Sequence, residues 1–214
     1  PVNRFLMEDD DIYELSVGLN HQTLIYKKTS APPEIKSFIQ QVKADYLQAI
    51  PNYQSEINVL LKPWIQSLAD SLDSGVMLFI DYGFPRREFY HPDRNTGTLM
   101  CHYQHKSHTN PLIHIGCQDI TSHVDFTRIA EAADDAKLTV SGYTNQAAFL
   151  INCGLLELSK KAINDDKSRF IINDAIKQLT LPSEMGELFK VIALQKDCDF
   201  SLLGFNWHNQ LHHL

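Results

Sequence analysis

The chain has 214 residues, 43% of them hydrophobic and 21% charged, which is typical of a globular domain with a real core. Its net charge of −7 comes without a basic run, so a nucleic-acid partner is not expected, because such surfaces need clustered Lys and Arg. The longest apolar run, Val76–Ile80, is too short to span a membrane, and four cysteines without a C-x-x-C pair indicate reduced thiols.

The first segment, residues 1–33, is predicted to be an antiparallel β meander. Its three β-rich runs are Asn3–Glu8, Ile12–Leu19 and Thr23–Lys28. The acidic residues 9–11 and the polar pair Asn20-His21 separate these runs, as hairpin turns do. Pro32-Pro33 then breaks the chain.

The second segment, residues 34–74, is predicted to be helical. Apolar residues recur at helical spacing from Ile35 to Tyr46, and Pro51 ends that pattern. A second apolar stripe runs from Ile57 to Leu72, with Ser55 as the expected N-cap and Gly75 just past the end. Pro63 lies inside this stripe and predicts a kink or a restart.

The third segment, residues 75–214, alternates strands and helices and predicts an α/β sheet. Val76–Ile80 is apolar throughout, which is typical of a strand buried on both faces of a parallel sheet. Residues 84–123 show no clear period and predict a long functional loop with short strands at most. The elements expected after it are a helix capped by Asp125, a strand at Leu138–Tyr143, a helix at Asn145–Cys153 closed by Gly154, a helix at Ser168–Leu179 and a strand at Phe189–Lys196.

Two polar groups are candidates for a site. Asp81-Tyr82-Gly83 ends the apolar strand, where open α/β sheets place their ligands, although Asp and Gly are also ordinary turn residues. Gln118, Asp119, Thr121, His123 and Asp125 precede a helix N-terminus, where polar groups and ligands gather. For Asp125 the pattern favours helix capping, and for Asp119 and His123 it favours a role in the site.

Histidines are dense in the long loop, where His102, His105 and His108 follow an H-x-x-H-x-x-H spacing. Imidazole is a common metal ligand, so a small metallohydrolase is one alternative. The spacing lacks supporting cysteines, and zinc sites need three or four converging ligands. We therefore predict a histidine-bearing surface loop and no metal.

The chain resembles the MidA family of class I S-adenosylmethionine-dependent methyltransferases. The most specific matching residues are Asp81-Tyr82-Gly83 and the run from Asp119 to Phe126, which Gln118 precedes in the same matching stretch. Further matching stretches are Pro1-Val2-x-Arg4-Phe5, Tyr53-x-Ser55-Glu56, Gly97-Thr98-Leu99, Tyr103-x-His105, Gln146-x-x-Phe149-Leu150 and Met185-Gly186-x-x-Phe189-Lys190-Val191. The fold that this resemblance implies is the C-terminal half of a Rossmann-like α/β sheet with an inserted β meander and helices.

The resemblance also implies that the family's glycine-rich cofactor turn lies before Pro1, since the chain contains no G-x-G-x-x-G. S-adenosylmethionine is then the cofactor of the parent protein, and we expect this fragment alone to be inactive and without bound cofactor. The start at Pro1 fits a cut inside a longer protein. A non-catalytic protein-binding domain that keeps the methyltransferase half-fold is the second interpretation.

The reaction implied by the resemblance is methylation of arginine on a protein substrate, with a respiratory complex I subunit as one candidate. The catalytic residues expected are Asp81, Asp119 and His123, and the substrate-binding residues are Tyr82, Gln118, Thr121 and Asp125. The location implied is the bacterial cytoplasm or, in a eukaryote, the mitochondrial matrix. A homodimer is one of the assembly states that the sequence leaves open.

Overall fold

A computed structural model of the chain describes residues 1–9, 11–47 and 50–214. The strands are β1 (Asn3–Glu8), β2 (Asp11–Asn20), β3 (Thr23–Ser30), β4 (Asn52–Ile57), β5 (Gly75–Phe84), β6 (Met100–Tyr103), β7 (Lys106–His108), β8 (Asp119–Thr121), β9 (Val124–Asp125), β10 (Thr139–Asn145) and β11 (Phe189–Lys196). The α-helices are α1 (Pro33–Tyr46), α2 (Leu61–Ser71), α3 (Arg86–Phe89), α4 (Phe126–Asp135), α5 (Gln146–Asn152), α6 (Leu155–Ala162), α7 (Asp166–Thr180) and α8 (Met185–Leu188).

The chain divides into two compact units. The first comprises Pro1–Leu61 and Arg87–His123, and the second comprises Lys62–Arg86 and Val124–Leu214. Each unit is described by itself below. The predicted segment boundaries at residues 33 and 74 stay predictions.

The first unit is built on an antiparallel sheet with strand order β3-β2-β1-β4. The predicted meander is confirmed, with Phe5 opposite Glu14 and Val17 opposite Tyr26. Of the first predicted turn, Asp10 lies outside the described residues. The N-cap predicted at Ser55 is wrong, because Ser55 lies inside β4 and is fully buried there. The polar–apolar alternation of a short strand was hidden by the longer helical stripe that follows it.

An aromatic cluster holds the core of the first unit. Phe5 and Tyr90 approach with ring centroids 6.3 Å apart, and Phe38 meets Tyr90 edge-on at 6.1 Å. Tyr53 is fully buried beside Phe5 and donates its hydroxyl to the carbonyl of His91 over 3.2 Å. Helix α1 adds Ile35, Ile39 and Val42 from one face, as its spacing predicts.

The stretch predicted as a long loop contains more order than expected. Helix α3 opens it, and a small antiparallel sheet of order β7-β6-β8 follows. Tyr103 and Lys106 are paired across a two-residue turn in which both Gln104 and His105 have positive φ. Two-residue hairpin turns need this backbone, but Asn-Gly or Asp-Gly is its usual sequence signal, and Gln-His is not.

The second unit is built on a mixed sheet with strand order β10-β11-β5-β9. Strands β5 and β11 are antiparallel over eight residue pairs, from Gly75 opposite Lys196 to Tyr82 opposite Phe189. Among the described residues of this sheet, only β5 and β9 pair in parallel, with Gly83 opposite Val124 and Phe84 opposite Asp125. The mixed α/β architecture is therefore confirmed, whereas the parallel environment predicted for Val76–Ile80 is wrong.

The fully buried strand of the second unit is β11 rather than β5. Val191, Ile192, Ala193 and Leu194 have no exposed surface. In β5, Leu78 is 44% exposed and Ile80 is 48% exposed. The reason is that β5 pairs with β11 along one edge only, and no strand within the described ranges pairs with Gly75–Tyr82 along the other.

The helices of the second unit largely follow their sequence signals. Asp125 caps α4 by accepting the N–H of Arg128 over 3.1 Å, as predicted. Asn145 caps α5, and Gly154 past its end has a φ of +85°. Helix α6 was not predicted. Where a kink or a restart was expected at Pro63, helix α2 begins at Leu61, two residues earlier. Proline is tolerated there because it lies in the first turn, where the backbone N–H has no helical partner.

No helix in the described part of the chain combines the length and the apolar character that a membrane span needs.

The open edge of β5 leads to a prediction about self-association. Exposed strand edges pair with other strands unless a charge or a cover prevents it, so we expect the 214-residue chain to associate as its concentration rises. Ile80→Lys should weaken this association, because a lysine on an edge strand disfavours pairing. Ile171→Lys is the matched control, since Ile171 is 56% exposed on α7. Sedimentation velocity would measure both, and equal association by the two variants would contradict the role of this edge.

Candidate functional site

Asp81 lies near the end of β5, inside the strand rather than after it. The strand continues to Phe84, and Asp81 stands opposite Lys190 of β11. Its side chain is exposed, and its Oδ1 accepts the N–H of Tyr82 over 2.8 Å. Partial burial raises the pKa of Asp81, and the bond from Tyr82 opposes that shift. This carboxylate is therefore accessible, with Oδ2 accepting no bond from the described side chains.

The residues beside Asp81 are fixed by packing. The ring of Tyr82 meets Phe189 edge-on at 5.5 Å, a preferred aromatic geometry. Gly83 lies where an added Cβ would collide with the backbone of Val124, so the parallel pairing with β9 requires a glycine there. Gly83 thus serves the contact between two strands and not a flexible turn.

Arg86 organises the chain just after β5. Its guanidinium is buried, lies 3.2 Å from Oδ2 of Asp125 through Nε, and binds both carboxylate oxygens of Glu131. Its backbone N–H donates to Oγ1 of Thr127 over 2.9 Å. These bonds tie the end of β5 to the start of α4.

Asp125 is engaged by this arrangement. One carboxylate oxygen faces Arg86 and the other caps α4. Burial raises the pKa of Asp125, and the guanidinium of Arg86 opposes that shift. The substrate-binding role predicted for Asp125 remains a prediction, and the contacts of its carboxylate are those of a structural residue.

The segment from Gln118 to His123 belongs to the first unit. Gln118 donates its amide to the carbonyls of Pro111 and Ile113, and so closes the loop before β8. Thr121 donates its hydroxyl to the carbonyl of Met100 over 3.2 Å. The N–H of His123 donates to Oγ1 of Thr98 over 3.0 Å.

Asp119 is the exposed carboxylate of this segment. It opens β8 and stands opposite His102 of β6. Pairing with β6 holds Asp119 and Thr121 in register, and His123 follows two residues later, held by its bond to Thr98. Asp81, Tyr82 and Asp125 belong to the second unit.

The three histidines of the H-x-x-H-x-x-H run do not share one face of their hairpin. His108 stands opposite Cys101, so His102, the next residue of β6, points to the other face of the hairpin. His114 stacks on Tyr103 with ring centroids 4.2 Å apart and meets His108 edge-on at 5.8 Å. In residues 1–9, 11–47 and 50–214, no three His, Cys, Asp or Glu side chains are placed to hold a metal ion.

Two arrangements of charged residues were not predicted. One is the Arg86–Asp125–Glu131 group, and the other joins Arg4 and Thr98 to Glu56, which is fully buried in β4. The sequence signal for the second was that Arg4, Glu56 and Thr98 each lie in a stretch that matches the family. It did not show that they meet, because Thr98 and Arg4 lie 42 and 52 residues from Glu56 along the chain.

Comparison with known proteins identifies the family of this chain. The family model described as "Putative S-adenosyl-L-methionine-dependent methyltransferase" matches residues 1–144. The chain belongs to this family. No curated protein matches this methyltransferase-family chain significantly.

Two solved structures from Burkholderia thailandensis resemble this family member over its whole length. One is an uncharacterized protein with 33% identity and a TM-score of 0.92. The other, bound to S-adenosyl-homocysteine, has 32% identity and a TM-score of 0.91. The chain covers 57% and 55% of these two proteins, so it spans little more than half the length of its solved relatives.

The buried Arg86 generates a stability prediction. Arg86→Leu leaves the Asp125 carboxylate buried without its cation, so the free energy of unfolding should fall by about 3–5 kcal/mol near neutral pH. The variant raises the folded-state pKa of Asp125 further above its unfolded value, so protonation favours the folded state. The loss should therefore be smallest at acidic pH and grow as pH rises through that pKa.

Urea unfolding at several pH values would measure this effect. Arg87→Leu is the control, because Arg87 is exposed and next in sequence. A loss for Arg86→Leu no larger than that of Arg87→Leu would contradict the structural role of the ion pair.

Proposed function

We propose that the protein containing this chain transfers a methyl group from S-adenosylmethionine to a guanidinium nitrogen of arginine in a protein substrate, as MidA-type enzymes do. Membership of the methyltransferase family supports the reaction class, and the relative bound to S-adenosyl-homocysteine supports the cofactor. The observation that carries the arginine assignment is the accessible Asp81 carboxylate near the end of β5.

The described residues do not by themselves fit the cofactor. Glycines that cradle such a ligand leave open space beside the backbone. An added Cβ at Gly83 would meet Val124, and one at Gly97 would meet the carboxylate of Glu56, so both glycines contact their own chain. Gly116 has open space beside it, but it lies in a turn before strand β8 and not between a strand and a helix. The roles proposed here are therefore confined to the substrate side, and the cofactor is assigned to the part of the relatives' length that this chain does not cover.

A guanidinium substrate needs carboxylates, because it is a rigid fork of N–H donors that pairs with carboxylate oxygens. We assign this task to Asp81, the exposed carboxylate near the end of β5. Asp119, an exposed carboxylate of the first unit, is the alternative. Asp125 is a weaker candidate because both of its oxygens are engaged. Holding the fork in one orientation presents a single nitrogen for methylation, and such positioning lowers the barrier by several kcal/mol.

The remaining predicted residues receive supporting tasks in this proposal. Tyr82, fixed by Phe189, lines the approach to Asp81. His123, in the same segment as Asp119, is assigned to accept the proton that the nitrogen loses on methylation, because a neutral imidazole has a ring nitrogen that can accept one. Gln118 and Thr121 shape the segment that carries Asp119 through their bonds to backbone carbonyls.

The substrate is proposed to be a protein with an accessible basic segment, and a respiratory complex I subunit is one candidate. The formal net charge of −7 favours such a partner by electrostatic attraction.

The test of this proposal uses the full-length protein, S-adenosylmethionine with a labelled methyl group, and purified respiratory complex I. We expect methylarginine in the hydrolysed protein substrate. Label on a different residue type would overturn the arginine assignment. Absence of any methyl transfer, from a protein that binds the cofactor, would favour the protein-binding interpretation.

The role of Asp81 has its own prediction. Asp81→Asn keeps the size of the side chain and removes its charge, so kcat/KM of the full-length enzyme should fall about ten- to a hundredfold through loss of a charge-assisted contact. Asp73→Asn is the control, because Asp73 is exposed just before the opposite end of β5. Equal activities and equal melting temperatures for the two variants would remove Asp81 from the proposed site and leave Asp119 as the principal carboxylate.

The cofactor assignment gives a further prediction. The 214-residue chain lacks a glycine-rich strand-to-helix turn, so it should show no binding of S-adenosylmethionine near micromolar concentration. The full-length protein is the positive control. Isothermal titration calorimetry measures both, and saturable binding by the 214-residue chain would place the cofactor site within it.

A further inference from the structure

Glu56 is a carboxylate with no exposed surface in the middle of the first unit. Its Oε2 accepts the N–H of Thr98 over 2.8 Å and the hydroxyl of Thr98 over 3.3 Å, and its Oε1 lies 3.5 Å from Nε of Arg4. Burial raises the pKa of Glu56, and the bonds from Thr98 and the charge of Arg4 oppose that shift. Burying a carboxylate destabilises the folded state unless hydrogen-bond donors and cations surround it. The carboxylate of Glu56 therefore fixes the positions of Thr98 and Arg4.

The donors come from a short segment, residues 95–98, that wraps around the carboxylate. Gly97 has a φ of +81°, and an added Cβ would collide with the Glu56 carboxylate, so only glycine allows this close approach. The N–H of Gln54 donates to the carbonyl of Asn95 over 3.1 Å, and Arg4 donates to the carbonyl of Thr96 over 3.3 Å. The segment is therefore held at both ends and in its middle.

Thr98 connects the Glu56 carboxylate to the predicted site. Its hydroxyl donates its hydrogen to Glu56, which leaves an oxygen lone pair oriented to accept the N–H of His123 over 3.0 Å. Strand β6 begins two residues later, and its Met100 and His102 stand opposite Thr121 and Asp119. Thr98 is thus connected to His123 by one hydrogen bond, and to Asp119 and Thr121 through the pairing of β6 with β8.

We propose that Glu56, acting through the hydroxyl of Thr98, is a positioning residue that fixes His123 and the Asp119–His123 segment for substrate. The inference rests on the proposed role of that segment in methyl transfer. Neither Glu56 nor Thr98 touches substrate in this account. Their effect is on the orientation of His123, so it should appear in turnover more than in cofactor affinity.

The test compares Thr98→Val and Thr98→Ser in the full-length protein. Valine keeps the shape of threonine and removes the hydroxyl, whereas serine keeps the hydroxyl. We expect Thr98→Val to lower kcat for methyl transfer about two- to tenfold, as loss of one hydrogen bond predicts, with the KM for S-adenosylmethionine unchanged. Thr98→Ser should restore kcat. Thr96→Val is the matched control, because Thr96 is exposed and contributes only its carbonyl.

Hydrogen exchange of the His123 amide, followed by NMR, provides a readout that does not depend on activity. Exchange should accelerate in Thr98→Val and return to the wild-type rate in Thr98→Ser. A lower melting temperature for Thr98→Val with unchanged kcat and unchanged His123 exchange would overturn the proposal and leave Glu56 as a stabilising ion-pair partner. If the wild-type protein transfers no methyl group, the proposed function fails. Faster exchange of the His123 amide in Thr98→Val, and not in Thr98→Ser, would still support the positioning of His123 by Thr98.

Discussion

Each unit of this chain is organised around a buried carboxylate. In the first unit this is Glu56, and in the second it is Asp125; both are buried, and each faces an arginine. An ionised carboxylate in a protein interior is strongly destabilising unless cations and N–H donors surround it, so the chain around each one must adopt a single arrangement. The segment 95–98 and the junction between β5 and α4 are the results of that constraint.

The sequence predicted best those elements whose signals are local. β1 and β11 have the predicted limits, and Asp125 caps its helix as expected, because alternation, apolar runs and capping residues are read within a few positions. The predictions failed where a distant partner decides the outcome. Val76–Ile80 reads as a strand buried on both faces, yet its exposure depends on which strands lie beside it, and that information is not contained in five residues.

The candidate site shows the same division. Asp81 and Asp119 could be selected from sequence because they follow recognisable patterns, and the structure finds both exposed. Glu56 and Arg86 could not, because their meaning arises from partners such as Thr98 and Glu131, which lie 42 and 45 residues away. Sequence patterns therefore identified the exposed carboxylates of the candidate site. The buried residues that hold their segments in place were identified by three-dimensional contacts.

The antiparallel pairing of β5 with β11 also determines when the second unit can form during synthesis. The two strands are joined by a connection on the order of 100 residues, so at ribosomal rates of about 5–20 residues per second β5 waits several seconds for its partner. Throughout that interval an apolar strand is available to other nascent chains and to chaperones. Completion of this sheet therefore waits for β11, and a premature stop shortly before Phe189 would leave β5 without that partner strand and Tyr82 without the ring it packs against.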